Sequence, residues 1–174
     1  YVVGLFWFRH GARLDAVDDF QTFPDSIPPV AVVVAARNEA EAAQLILRPR
    51  RDLLDLTVRV TDLVGPADSR IDAGAIELLR VMTVPVRQPT DIAGEAADWP
   101  DPLLPLGAPL RAAAARNLAL WVRVTTPRQI PAGTYRGTVH LGADGWSQDV
   151  GLHVEVYDFD LPDRMTCQTA FGFD

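Results

Sequence analysis

Ile130-Pro131-Ala132-Gly133-Thr134-Tyr135-Arg136-Gly137-Thr138-Val139-His140-Leu141 is a turn that runs straight into strict alternation. Pro131 and Gly133 punctuate the entry. Tyr135, Gly137, Val139 and Leu141 then fall on one face, and Thr134, Arg136, Thr138 and His140 on the other. Successive strand side chains point to opposite faces, so one face here is apolar and the other polar. A second alternating run, Asp149-Val150-Gly151-Leu152-His153-Val154-Glu155-Val156, follows Asp144-Gly145, a dipeptide suited to a primed two-residue turn. With those two residues at the centre, the numbers of every facing pair sum to 289, as 144 and 145 do. Val139 then meets Val150, Gly137 meets Leu152 and Tyr135 meets Val154, while Arg136 faces His153 and Thr134 faces Glu155 outside. A slip of one residue would bury the polar set.

The same reading, carried outward, gives strands at about 2–8, 30–36, 43–48, 56–63, 76–84, 118–126, 133–142 and 147–158. The expected fold is all-β: a two-sheet antiparallel β-sandwich, immunoglobulin-like or jelly-roll-like, with short helical turns in its loops. Glu39–Gln44 and Leu110–Arg116 are rich in good helix formers and stay open to a short helical reading. Gln88–Pro109 is dense in Pro, Gly and Asp and reads as one long connection, of the kind that often carries function or an interface.

The 174 residues fit one sandwich domain, 1–174, with a core of its own. A start at Tyr1 and an apolar close at Thr169–Asp174 read as a piece of a longer chain, with a removed signal peptide left open. The single Cys167 excludes an internal disulfide and a multi-cysteine zinc site but leaves the compartment open, secreted or cytoplasmic. A net charge of −7 argues against a nucleic-acid partner, whose phosphates need a concentrated basic face. All 16 basic residues are arginine, which reads as compositional bias. Tyr1–Phe8 falls far short of the about 20 apolar residues that span a bilayer, so no membrane partner is expected.

Candidate chemistry is sparse. No Gly-x-Ser-x-Gly elbow, phosphate-cradling glycine loop or His-Glu-x-x-His helix occurs, and no cofactor or metal is expected. His140 and His153 lie on the polar strand face, too far apart along the ladder to share a metal, and His10 stands apart. The carboxylate pairs Asp18/Asp19, Glu39/Glu41, Asp98/Asp101 and Asp158/Asp160 do not by sequence proximity make the opposed acids of a glycosidase. Asp158 and Asp160 read as surface or interface residues. Asp98-Trp99-Pro100-Asp101 is a stiff loop with an aromatic, the most site-like of the four. Among Trp7, Trp99, Trp121 and Trp146, the last, beside the hairpin turn, is the one placed to stack on a sugar ring; Trp7 reads as core and Trp121 as half-buried.

Five stretches together resemble one family. They are Ala35-Ala36-Arg37-Asn38-Glu39-Ala40-Glu41-Ala42-Ala43-Gln44-Leu45, Pro100-Asp101-Pro102-Leu103-Leu104-Pro105, Leu120-Trp121-Val122-Arg123-Val124, Ala132-Gly133-Thr134-Tyr135-Arg136-Gly137-Thr138-Val139 and Val156-Tyr157-Asp158-Phe159-Asp160-Leu161-Pro162. In order and spacing the chain is similar to the N-terminal β-sandwich domain of glycoside hydrolase family 123. The resemblance implies a C-terminal (β/α)8 barrel after Leu161-Pro162, acting as a retaining β-N-acetylgalactosaminidase in which the substrate's acetamido group is the nucleophile beside an Asp-Glu pair. This chain contains no Asp-Glu dipeptide, so no catalytic residue is carried over to it.

The leading expectation is a non-catalytic accessory domain whose partner is the catalytic barrel of the same parent chain. Arg37, Asn38, Glu39, Asp98, Trp99 and Asp101 are the interface candidates, and the same Arg37-Asn38-Glu39 triplet would also serve to fix a strand-entry turn. The rivals are an independent carbohydrate-binding module, with a glycan as partner at Trp146, and an immunoglobulin-like structural or adhesive module.

Overall fold

A computed structural model describes residues 2–6, 30–90, 94–107 and 110–164. Trp7, His10, Asp18, Asp19 and Cys167 lie outside the described residues, as does the end of the first expected strand. Twelve strands are described: β1 (Val2–Phe6), β2 (Val30–Arg37), β3 (Ala40–Arg48), β4 (Leu53–Val60), β5 (Leu63–Val64), β6 (Arg70–Ile71), β7 (Ile76–Val86), β8 (Ala97–Pro105), β9 (Leu110–Ala112), β10 (Leu118–Thr125), β11 (Gly133–Ala143) and β12 (Trp146–Asp160). One single 3-10 turn, Ala73–Ala75, is a short helical piece of the kind expected in the loops, whereas Pro66–Asp68 is a tight turn with Ala67 and Asp68 left-handed. The strands form two sheets, β1-β3-β10-β7-β8 and β2-β12-β11-β4-β9, with β5 and β6 attached to the second beside β11.

The β11–β12 hairpin has the register read from the sequence, from Gly133 opposite Val156 to Ala143 opposite Trp146. Its turn differs from the expectation. Gly145 alone of the central pair has a positive φ, 65°, whereas a type I′ turn needs both residues left-handed. Register is held by the long apolar face instead: Tyr135, Val139, Leu141, Val150, Leu152, Val154 and Val156 are all buried. Across the core they meet Leu45, Leu47, Leu120, Val122 and Val124 from β3 and β10.

Tyr135 anchors the entry to β11. Its fully buried ring leaves no room for a side chain at Gly65, and its hydroxyl donates to the Pro131 carbonyl at 2.8 Å with Ser69 Oγ at 2.9 Å. A buried phenol tied to backbone a few residues upstream fixes a strand-entry corner. At Gly133, φ is 137° and an added Cβ would sit 2.7 Å from Pro66, so the turn and the close approach both require glycine.

Two open readings are decided as strand, and two expectations are corrected. Glu39–Gln44 is not helical: from Ala40 it is β3, because β10 pairs with it from Ala40 to Leu47 and β1 from Gln44 to Arg48, and those ladders override propensity. Leu110–Ala112 is strand β9 rather than the start of a helix. The supposed connection Gln88–Pro109 contains β8, an edge strand on β7. Pro100, Pro102 and Pro105 are tolerated there because an edge strand leaves one side of its backbone unpaired. Finally, the sheets are not wholly antiparallel, since β2 runs parallel to β12.

Candidate functional site at the sandwich corner

β2 lies in one sheet and β3 in the other, so the chain must change layers within two residues, Asn38 and Glu39. Asn38 takes φ 61°, a left-handed conformation that asparagine tolerates better than most residues. Its backbone N–H donates to the Thr126 carbonyl at 3.0 Å, and the Thr126 N–H returns a bond to the Glu39 carbonyl at 2.8 Å. The Thr126 side chain, only 1% exposed, completes the corner. Its hydroxyl donates to the Ala36 carbonyl at 2.5 Å, with the Glu39 carbonyl at 3.0 Å as a second acceptor, and accepts from the Glu39 N–H at 3.1 Å. The Glu39 carboxylate turns back to accept the Ala36 N–H at 2.6 Å.

The same corner grips the segment that leaves β12. Asn38 Nδ2 donates to the Leu161 carbonyl at 2.9 Å and to Asp163 Oδ1 at 3.3 Å, while the Leu161 N–H donates to the Arg37 carbonyl at 2.9 Å. Arg37 reaches Asp158 at 2.8 Å through Nη1 and Asp160 at 3.2 Å through Nε. Those hydrogen bonds, Asp158 first, raise the affinity of the guanidinium for its proton. Arg128 pairs with Asp163 and holds that carboxyl below the usual aspartate range, with the Asn38 bond a smaller contribution. Three stretches far apart in sequence, 36–39, 126–128 and 158–163, are thereby tied into one knot.

The structure therefore brings together Arg37, Asn38 and Glu39, with side chains committed to internal bonds as in the turn-fixing reading. It adds Thr126, Arg128 and Asp163, which sequence reasoning missed; their only local signal is that they follow strand ends. Asp98, Trp99 and Asp101 lie elsewhere. Trp99 pairs with Val84 and donates its indole N–H to the Glu95 carbonyl at 3.0 Å. Ile76, at the corner end of β7, is eight residues from Val84, about 27 Å along the strand. Trp146 is half-buried and packs against the main core, and Trp121 is half-buried on β10. His140 lies beside Asp149 at 2.6 Å on the exposed hairpin face, and His153 faces Arg136 as the register requires. Among the described residues no three His, Cys, Asp or Glu side chains converge as a metal site.

The geometry is that of a clamp on the backbone, and comparison with known proteins gives it a context. A family model, the glycoside hydrolase 123 N-terminal domain, matches residues 29–143. The chain belongs to this family. Among solved structures it is similar to a family 123 glycoside hydrolase from Clostridium perfringens, described for hydrolysis of glycolipid glycans, with 16% identity and a TM-score of 0.65. That match covers 77% of this chain and 24% of the other, so the chain spans about a quarter of that enzyme's length. At such identity the likeness is one of fold. A second match, the N-terminal domain of PorA, has 11% identity and a TM-score of 0.36 over 75% of this chain and 89% of that one, and carries no argument. No curated protein matches the sequence.

Proposed function

We propose that this domain is a non-catalytic accessory unit of a glycoside hydrolase, and that it holds a catalytic barrel following it in the parent chain. Membership of the family 123 N-terminal domains supports the hydrolase context, and the length of the similar clostridial enzyme supports a large further domain. The observation that carries the reading is the corner itself. Arg37, Asn38 and the Thr126–Glu39 bonds hold residues 158–163, the segment leading out of the sandwich, in one direction. A rigid exit fixes where the next domain sits, since inter-domain motion is the default wherever a linker is unconstrained. In this reading Arg37, Asn38 and Glu39 serve the interface by setting its geometry, and Asp98, Trp99 and Asp101 form a separate surface on β8.

A crystal structure of the parent polypeptide tests this. A strand–helix barrel seated against the sandwich after residue 164 is the expected result. Tandem copies of the sandwich, or a barrel on a loose tether with the corner bonds broken, would refute it. The β-N-acetylgalactosaminidase chemistry that the family resemblance implies belongs, in this proposal, to the barrel, and its check is hydrolysis of aryl β-N-acetylhexosaminides by the parent protein.

A further inference from the structure

Apolar side chains that the core does not use gather beside the exit. β2, at one end of its sheet's strand order, alternates buried Ala31, Val33 and Ala35 with Val32 and Val34, which are 49% and 36% exposed. Next to them β12 carries His153 opposite Val32 and Glu155 opposite Val34. Tyr157 and Phe159 follow, 47% and 52% exposed, with ring centroids 6.0 Å apart and planes at 19°. The ladder is irregular here. Val156 faces Ala35 and Asp160 faces Arg37, so β12 sets Tyr157, Asp158 and Phe159 against Ala36 alone. Alternation along the strand sets Tyr157 and Phe159 on one side, where their rings stack, and Asp158 and Asp160 on the other, where both reach Arg37. Single exposed apolar residues need no explanation, but two valines and two stacked aromatics on adjoining strands form a patch of the kind that marks an interaction surface.

We propose that the Val32, Val34, Tyr157 and Phe159 face is the seat of the catalytic domain that follows in the same chain, an inference that rests on the reading given above. Phe159 stands two residues before Leu161, where the backbone is pinned to Arg37, so a domain attached there meets this face at the millimolar effective concentration of a short tether. Roughly three-quarters of the similar clostridial enzyme lies outside the matched region, enough chain to supply the partner. Aromatic anchors with a charged rim are characteristic of interface centres. Glu155, exposed opposite Val34, puts a carboxylate at the rim, so the seated surface carries an apolar centre with an arginine or lysine beside it.

Hydroxyl-radical footprinting of the parent protein, read by peptide mass spectrometry, measures these native side chains directly, and solution scattering on the same sample gives mass and shape. The expected result is a compact monomer in which Tyr157 and Phe159 are modified as slowly as the buried Tyr135, while exposed Leu54 and Leu104 react freely. A compact monomer with freely reacting Tyr157 and Phe159 would place the seat elsewhere and leave the accessory-domain reading standing. An extended particle with both rings reactive would remove the two together. Protection accompanied by a doubled mass would assign the face to a second copy of the chain and overturn the proposal.

Discussion

Replacing Thr126 by valine removes one hydroxyl and changes almost nothing else in shape, which makes it the sharpest probe of the corner. The hydroxyl donates to the Ala36 carbonyl at 2.5 Å and accepts the Glu39 N–H at 3.1 Å. Each such bond contributes about 1 kcal/mol net, and a buried carbonyl left without its partner adds about another 1. Ala36 and Thr126 are each 1% exposed, so water cannot easily take the hydroxyl's place. The expected cost of Thr126→Val is therefore about 2 to 3 kcal/mol. For a domain of this size that corresponds to a fall in Tm of roughly 4–12 °C, measurable by calorimetry or urea unfolding at unchanged m-value. Thr126→Ser keeps the hydroxyl and loses one methyl, at about 1 kcal/mol. If valine lies within about 0.5 kcal/mol of wild type, or serine is as damaging as valine, the corner is not held by this hydroxyl and the clamp argument fails.

Tyr135→Phe, which deprives the Pro131 carbonyl and Ser69 of their partner, should cost about 1–2 kcal/mol by urea unfolding. Gly65→Ala forces a Cβ into the Tyr135 ring and should cost about 1–3 kcal/mol by overpacking, with the loss of near-ultraviolet dichroism from that tyrosine as a second readout. Arg37→Ala should leave the urea midpoint of the sandwich nearly unchanged, since Asp158 and Asp160 are well exposed, yet loosen the exit segment in amide exchange at Leu161. Arg128 lowers the Asp163 pKa in the folded state, so the ionised carboxylate favours folding above the ordinary aspartate value of about 3.9, and that contribution fades as pH falls through the folded-state value. Carboxyl NMR should show Asp163 titrating below about 3.9, and Arg128→Ala should move the midpoint upward.

How much of this was legible depended on whether the cause was local. The β11–β12 ladder could be read pair by pair because alternation over two long runs leaves only one register that buries the apolar face. β8 was hidden because its sequence, Ala97-Asp-Trp-Pro-Asp-Pro-Leu-Leu-Pro105, has loop chemistry and becomes a strand only by pairing with β7. The start of β4 was missed for a related reason. Asp55 adopts φ 53°, and the irregular pairing with β9 brings Leu53 and Leu56 inward three residues apart, which breaks the two-residue rhythm. The parallel pairing of β2 with β12 has no local signature at all. Arg37-Asn38-Glu39 could be singled out as a polar triplet between apolar runs, but its partners stand 87 to 125 residues away and only the fold shows which they are.

The corner and the apolar face belong to one argument about rigidity. Because β2 changes sheets at Asn38, the two residues at its end face both layers and the exit from β12 at once, and neither can shift without disturbing all three. Alternation at the end of β12 then places Asp158 and Asp160 on the clamped side and Tyr157 and Phe159 on the open side of the same short segment. Clamping that segment spends side chains on orientation, whereas stacked rings left half in water have no evident value to an isolated sandwich. A domain seated on the rings would bury them at little further entropic cost, since the corner already fixes the backbone that bears them. The separation is testable within the parent protein: loosening the corner by Thr126→Val should weaken docking without touching the docking face, and Tyr157→Ser with Phe159→Ser should weaken docking without lowering the stability of the sandwich. If both changes alter the sandwich alone, measured as its own unfolding transition, the face and the corner serve only the fold.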